Sequence, residues 1–194
     1  VRKRPRTGVG SPHLCTPEEL LSLVRQVAPI RLDPCSNRWS RVKATVELAG
    51  DPRKPHDDGL EESWRSLSRG GQAYVNPPYG PAGTLDRWAR KAVLEGEAGT
   101  TLELLTPDDA TTVWYRQLWR ACDRVVRLTQ RIRFTDGGRV RDSAMFGSAL
   151  WLFTPSLELC ARFESVYEER GIVIDPARAS RRRVSRARIE EACT

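Results

Sequence analysis

The sequence predicts an α/β layered domain on a mostly parallel sheet, with antiparallel strands at its C-terminal end. Two observations carry that prediction. Helical and strand-like patterns alternate for most of the length, so successive strands are joined by crossovers that return the chain to the same edge. The last strand-like runs then follow one another without intervening helices, which favours antiparallel return.

Residues 1–13 are basic, contain Pro and Gly, show no periodicity and are expected to be disordered. Thr16-Pro17-Glu18-Glu19 reads as a helix start, with Thr16 as N-cap, Pro17 at the first helical position and two acids in the first turn. Leu20, Leu21, Val24 and Val27 give that helix its apolar face. Ile30–Asp33 is a short strand ended by Pro34, and residues 34–57, rich in Arg, Asp and Pro, are mostly loop. A short segment runs from Asp58 to Trp64, and Gln72–Val75 is the next strand. An amphipathic helix over 84–95 uses Leu85, Trp88, Ala92 and Leu94. A strand over Thr101–Leu105 leads to a helix over Asp109–Cys122, with Val113, Trp114, Leu118 and Trp119 inward. Arg124–Leu128 and Arg131–Phe134 are expected as strands, with a turn at Asp136-Gly137-Gly138. A strongly apolar strand, Gly147–Phe153, precedes a helix over Ser156–Glu169 and an edge strand at Gly171–Ile174.

At 194 residues the chain fits one domain, taken as 14–176 between a basic arm and a basic tail, 177–194. With 39% hydrophobic and 29% charged residues it has the composition of a globular protein, and no apolar run approaches the ~20 residues of a membrane span. Five widely spaced cysteines without a Cys-x-x-Cys pair, and two histidines, argue against a zinc site and for a reduced, cytoplasmic setting. The net charge of +7 suits a polyanionic partner. Arg178, Arg181, Arg182, Arg183, Arg186 and Arg188 form an acid-free cluster, either a solvated tail or a grip on phosphates.

The most specific feature is Asn76-Pro77-Pro78-Tyr79 at the carboxyl end of the Gln72–Val75 strand, where open α/β sheets place ligands. By composition alone a chain of this size contains that tetrapeptide about once in a thousand. Proline fixes its own φ, lacks an N–H and keeps the preceding residue extended. The Asn76 side-chain oxygen and the Pro77 carbonyl can therefore point at one spot free of competing proline donors. A planar amine placed there donates both hydrogens and turns its lone pair outward, while Tyr79 offers a flat face to the attached heterocycle. The tetrapeptide resembles the one with which amino-group methyltransferases hold a planar NH2 group.

Around it stand, in order, Thr16-Pro17, Leu32-Asp33-Pro34-Cys35, Asp58-Gly59-Leu60 with Trp64, Ala73 to Gly80, Trp88, Arg131-Ile132-Arg133-Phe134 and Phe146-Gly147-Ser148-Ala149-Leu150. Over about residues 13–153 this order resembles the phage-type DNA N6-adenine methyltransferase family. The resemblance implies a Rossmann-like S-adenosylmethionine-dependent methyltransferase fold, S-adenosylmethionine as donor, and DNA adenine N6 as acceptor at a specific site. It also implies a phage or mobile-element setting of the restriction-modification kind. Asn76, Pro77, Pro78 and Tyr79 would then hold the target amine. Thr16 and Pro17 would lie against the methionine end of the cofactor, Asp33 and Pro34 beside its amino group, and Asp58 at its adenine. The ribose acid stays open between Glu47 and Asp51.

The chain departs from most nucleotide-binding methyltransferases in one respect: Pro34-Cys35-Ser36-Asn37 replaces a glycine-rich turn. Without a separate recognition domain, specificity falls to loops such as 34–57 and 135–146 and to the basic termini. A flipped base needs two walls, and Phe146, rather than Phe134, is expected opposite Tyr79. Arg139 and Arg141, with Arg181, Arg182 and Arg183 of the tail, are expected on DNA phosphates. The protein is expected to be a monomer without metal. Two alternatives remain at this point: a methyltransferase acting on a protein glutamine or RNA base, and a non-catalytic nucleic-acid-binding module.

Overall fold

The computed structural model describes residues 14–51, 56–80 and 82–177. The basic arm and most of the tail, including Arg178 and Arg181 to Arg183, lie outside the described residues.

The elements run β1 (Leu14–Cys15), α1 (Glu18–Val27), β2 (Ile30–Asp33), β3 (Val46–Glu47), α2 (Trp64–Leu67), β4 (Gln72–Val75) and α3 (Thr84–Glu97). They continue with β5 (Leu102–Pro107), α4 (Val113–Ala121), β6 (Arg124–Leu128), β7 (Thr135–Asp136), β8 (Arg139–Val140), β9 (Ser148–Phe153), α5 (Leu157–Tyr167) and β10 (Gly171–Ile174). The main sheet has seven strands in the order β10-β6-β9-β5-β4-β2-β3. The pairs β2–β3, β2–β4 and β4–β5 are parallel. The pairs β5–β9, β6–β9 and β10–β6 are antiparallel. Because β5 and β6 both oppose β9, β6 runs with β5, and the ends of β2 to β6 in this sheet face one side. Half of the strand pairs are thus antiparallel, a larger share than the sequence pattern suggests, because β9 inserts between β5 and β6.

Alternating side chains give the sheet two buried faces. Leu32, Ala73, Val75, Leu104 and Trp151 pack with Trp64, Trp88 and Leu118 on the side of α2, α3 and α4. Ile30, Tyr74, Leu105 and Leu152 pack with Leu21, Val24, Phe163 and Tyr167 on the side of α1 and α5. Strand β9 is buried along its whole length, as a central strand covered on both faces must be.

Several local expectations change. Pro17 is itself the N-cap of α1, with ψ at 153°, and the Thr16 hydroxyl is bonded to the Tyr74 hydroxyl at 2.9 Å instead of capping. Helix α4 begins at Val113, not Asp109, because Asp109 closes a turn by accepting from the Thr111 N–H and Thr112 provides the cap. Val113 and Leu94, expected inward, are exposed. Arg131–Phe134 is not a strand. Its alternation is real, with Ile132 and Phe134 buried and the arginines exposed, yet it makes only isolated bonds, Ala144 N–H to Ile132 O and Arg141 N–H to Phe134 O, both 2.9 Å. The ladder starts one residue later, where β7 pairs antiparallel with β1 and β8 in a separate three-stranded sheet. Leu14–Cys15 is too short for a sequence pattern to reveal.

Candidate active site

Strand β4 delivers Asn76 to the side of the sheet where β2, β3 and β5 also end. A cavity of about 280 Å³ opens there. Its lining comes from four segments: 34–37 after β2, 48–50 after β3, 58–59, and 76–79, with Leu14 and Trp88 closing it.

The Asn76 amide donates through Nδ2 to the Leu14 carbonyl at 3.2 Å. That bond engages the amide nitrogen and leaves Oδ1 as the remaining acceptor. Pro77 is buried and Pro78 half-buried, so the tetrapeptide is held by packing as well as by its prolines. Cys35 lies beside the Asn76 backbone N–H, and burial pushes its thiol well above the ordinary range, so it acts as a small apolar wall.

Tyr79 sits with its ring edge-on to two phenylalanines: Phe134 at 6.1 Å and 86°, Phe146 at 5.7 Å and 76°. The expected partner Phe146 and the unexpected Phe134 both touch it, and neither lies parallel to it as a stacking wall would. The Tyr79 hydroxyl is buried without a hydrogen-bond partner, and burial raises its pKa far above the usual phenol range.

Of the residues expected at the cofactor, Pro34 and Asp58 line the cavity. Asp58 is exposed and accepts from the Leu60 N–H at 2.9 Å. Asp33 lies beneath the lining. Its Oδ1 accepts from the Cys35 N–H at 3.2 Å and its Oδ2 from the Ser40 hydroxyl at 3.0 Å, which shapes the 34–40 loop. Burial, before all else, lifts its carboxyl to about 6. Glu47 pairs with Asp33 in register at the end of β3, and the Ser36 hydroxyl donates to it at 3.4 Å. Thr16 and Pro17 are not in the lining; Leu14, unforeseen in the sequence, takes the wall beside Asn76. Arg139 is exposed on the β7–β8 hairpin, whereas Arg141 is tied to Asp136.

The missing glycine turn has a structural counterpart. A Cβ on Gly59 would stand 1.8 Å from the Pro34 carbonyl oxygen, so the close backbone approach is made by Gly59 against Pro34. The Trp64 indole donates to the Gly59 carbonyl at 2.6 Å and stacks on Trp88 at 6.1 Å and 25°. The buried Asp57 holds the third segment, accepting from Ala49 N–H at 3.0 Å and Asp51 N–H at 2.8 Å. Gly59 and Trp88 were visible as members of the ordered motifs; their lining role depends on contacts between segments.

Among the described residues no group of three or more His, Cys, Asp or Glu side chains could hold a metal ion. No helix among them is long and apolar enough to cross a membrane. A family model described as DNA N-6-adenine-methyltransferase (Dam) matches residues 16–174. No curated protein matches the chain.

Proposed function

The chain belongs to the DNA N-6-adenine-methyltransferase family, and we propose that Asn76 and Pro77 hold the target amine while Tyr79 carries the base. It is an enzyme that methylates adenine in DNA, which decides against the RNA and protein-glutamine alternatives. The observation that carries the assignment of roles is the Asn76 Nδ2 bond to Leu14, because it leaves Oδ1 as acceptor on a residue that lines the cavity.

The residues present fit S-adenosylmethionine, in a Rossmann-like arrangement. Asp58 offers a carboxylate to an exocyclic amine, Leu48 and Trp88 offer apolar walls, and Asp33 and Glu47 place negative potential near a cation. Glu47 is the better placed acid for the ribose, at the end of the strand beside β2. When bound, that cofactor supplies a methyl group already activated by its sulfonium, and neither a metal nor a strong base is required. Asn76 Oδ1 and the Pro77 carbonyl accept the two N6 hydrogens of an unstacked adenine and orient its lone pair towards the donor. Fixing the reactants in line is worth as much as ~7–11 kcal/mol over free encounter. The proton leaves N6 after transfer. In this reading the enzyme acts as a cytoplasmic monomer of phage or mobile-element type at a specific sequence, read by the 34–57 and 135–146 loops. Asp33 shapes the first of these, and Thr16 and Pro17 brace the wall that Leu14 forms.

Asn76→Ala tests the assignment. Digestion of methylated DNA to nucleosides should show N6-methyladenine formation reduced by ~10²-fold or more, with S-adenosylmethionine affinity by calorimetry changed only slightly. Full activity in the variant would overturn the role given to Asn76.

A further inference from the structure

A second cavity, of about 550 Å³, is a groove separate from the one around Asn76. Its floor is apolar, from Leu20, Leu23, Leu128 and Ile132. Its rim carries four guanidinium groups from three separate stretches of chain: Arg41, Arg131 with Arg133, and Arg170. Two acids, Glu18 and Glu19, also reach it, but Glu18 is engaged by Arg25 at 2.6 Å. The floor is the outer side of the core, and its rim of positive charge suits an anionic partner with apolar edges. We infer that this groove seats the DNA backbone beside the target base, with phosphates on Arg41, Arg131, Arg133 and Arg170 and sugar edges over the apolar floor.

Position supports that occupant. The groove lies where α1 begins and β6 ends, and β6 runs with β4, so it opens on the side of the sheet where Asn76 emerges. The segment that forms one wall, 131–135, also carries Phe134, which touches Tyr79. Strand backbone in the groove and base at Tyr79 would therefore share one wall. The alternation of that segment suits a phosphate-binding rim, because Ile132 and Phe134 anchor it inward and leave Arg131 and Arg133 outward. Arg124 and Arg127, by contrast, are committed to carboxylates.

The inference rests on the proposed function, and its test separates the two. Binding of a mixed-sequence duplex is titrated by fluorescence anisotropy at several salt concentrations, while methylation of the same DNA by the wild type is assayed alongside. Arg131→Ala with Arg133→Ala, and Arg41→Ala with Arg170→Ala, should each flatten the plot of log affinity against log salt by about two units, since each lost phosphate contact removes ~0.9 of slope. Lysine at the same positions should keep most of the slope. Arg69→Ala and Arg120→Ala, at the end of the sheet where β4 and β6 begin, should leave it unchanged. Thermal melting of each variant separates lost contacts from lost folding. A wild type that methylates DNA while groove and control variants give equal slopes, whether unchanged or equally reduced, overturns the groove alone. A wild type that neither binds nor methylates DNA overturns both.

Discussion

Glu103 should make the stability of this fold depend on pH. It lies on β5, fully buried, with Oε2 accepting from the Tyr167 hydroxyl at 2.9 Å. Its Oε1 has no partner, and neither has Oε1 of the buried Gln72 on the adjacent β4. Gln72 cannot turn its amide over, because Nε2 already donates to the Val24 and Ala28 carbonyls, both at 2.9 Å. Both Oε1 oxygens are buried acceptors on adjacent strands without a donor, and a protonated Glu103 carries the donor they lack. Burial pushes its carboxyl up to about 8, against which the bond from the Tyr167 hydroxyl acts. The folded pKa therefore lies above the unfolded value. The stabilisation is complete below the unfolded pKa, ~4.3, and is lost as pH rises towards 8. Across that window the loss amounts to at most about 5 kcal/mol, at ~1.4 kcal/mol per pH unit. Glu103→Gln imitates the protonated acid: its amide can donate to Gln72 and its oxygen can accept from Tyr167. Urea unfolding of both proteins from pH 5 to 9 should give a variant that gains on the wild type steadily up to about pH 8 and then runs parallel to it. Parallel curves throughout would show that Glu103 folds as a carboxylate and that the proton-sharing argument is wrong.

Other expectations follow from single contacts. Gly59→Ala must displace the Pro34 carbonyl, and overpacking of ~1–3 kcal/mol would weaken S-adenosylmethionine binding roughly 5- to 150-fold; unchanged calorimetric affinity would remove Gly59 from the cofactor cavity. Tyr79→Phe deletes a buried hydroxyl that has no partner, so melting should stay level or rise by up to ~1 kcal/mol with methylation retained, and lost methylation would instead give the hydroxyl a role on the substrate. Phe134→Ala, at a buried ring, should cost ~3–5 kcal/mol in denaturant unfolding. The half-buried Phe146→Ala should raise the KM for DNA with a much smaller stability cost, and the reverse pattern would exchange the two roles.

The sequence exposed those features whose causes are local. Alternation and helix-start chemistry placed α1, β4, α3 and β9 close to their observed spans, and the two prolines announced a rigid turn at Asn76. Arg131–Phe134 shows the limit of that logic. Its side chains alternate as a strand's do, since Ile132 and Phe134 must be buried, yet the backbone finds no ladder. A strand needs a neighbour, and a neighbour is not written in the segment itself. The ladder formed instead at Thr135–Asp136 because Leu14–Cys15, over a hundred residues earlier in the chain, comes alongside. The cavity beside Asn76 repeats the lesson: the close backbone approach that a glycine after β2 would allow is made by Gly59, against Pro34.

These long-range contacts bear directly on the chemistry. Leu14 pairs with Asp136 through β1 and β7, and its carbonyl receives the Asn76 amide. The β7–β8 hairpin stands between Phe134 and Phe146, both of which touch Tyr79. Asn76 and the two phenylalanines are thus tied to one small sheet separate from the main one. Tyr79 is at present edge-on to both phenylalanines, so a base can stack on it only if at least one of them gives way. Movement of that segment would pull on β7, on its partner Leu14, and through Leu14 on Asn76. If Asn76 and Tyr79 have the roles proposed for them, base entry and alignment of the amine acceptor are coupled through Leu14.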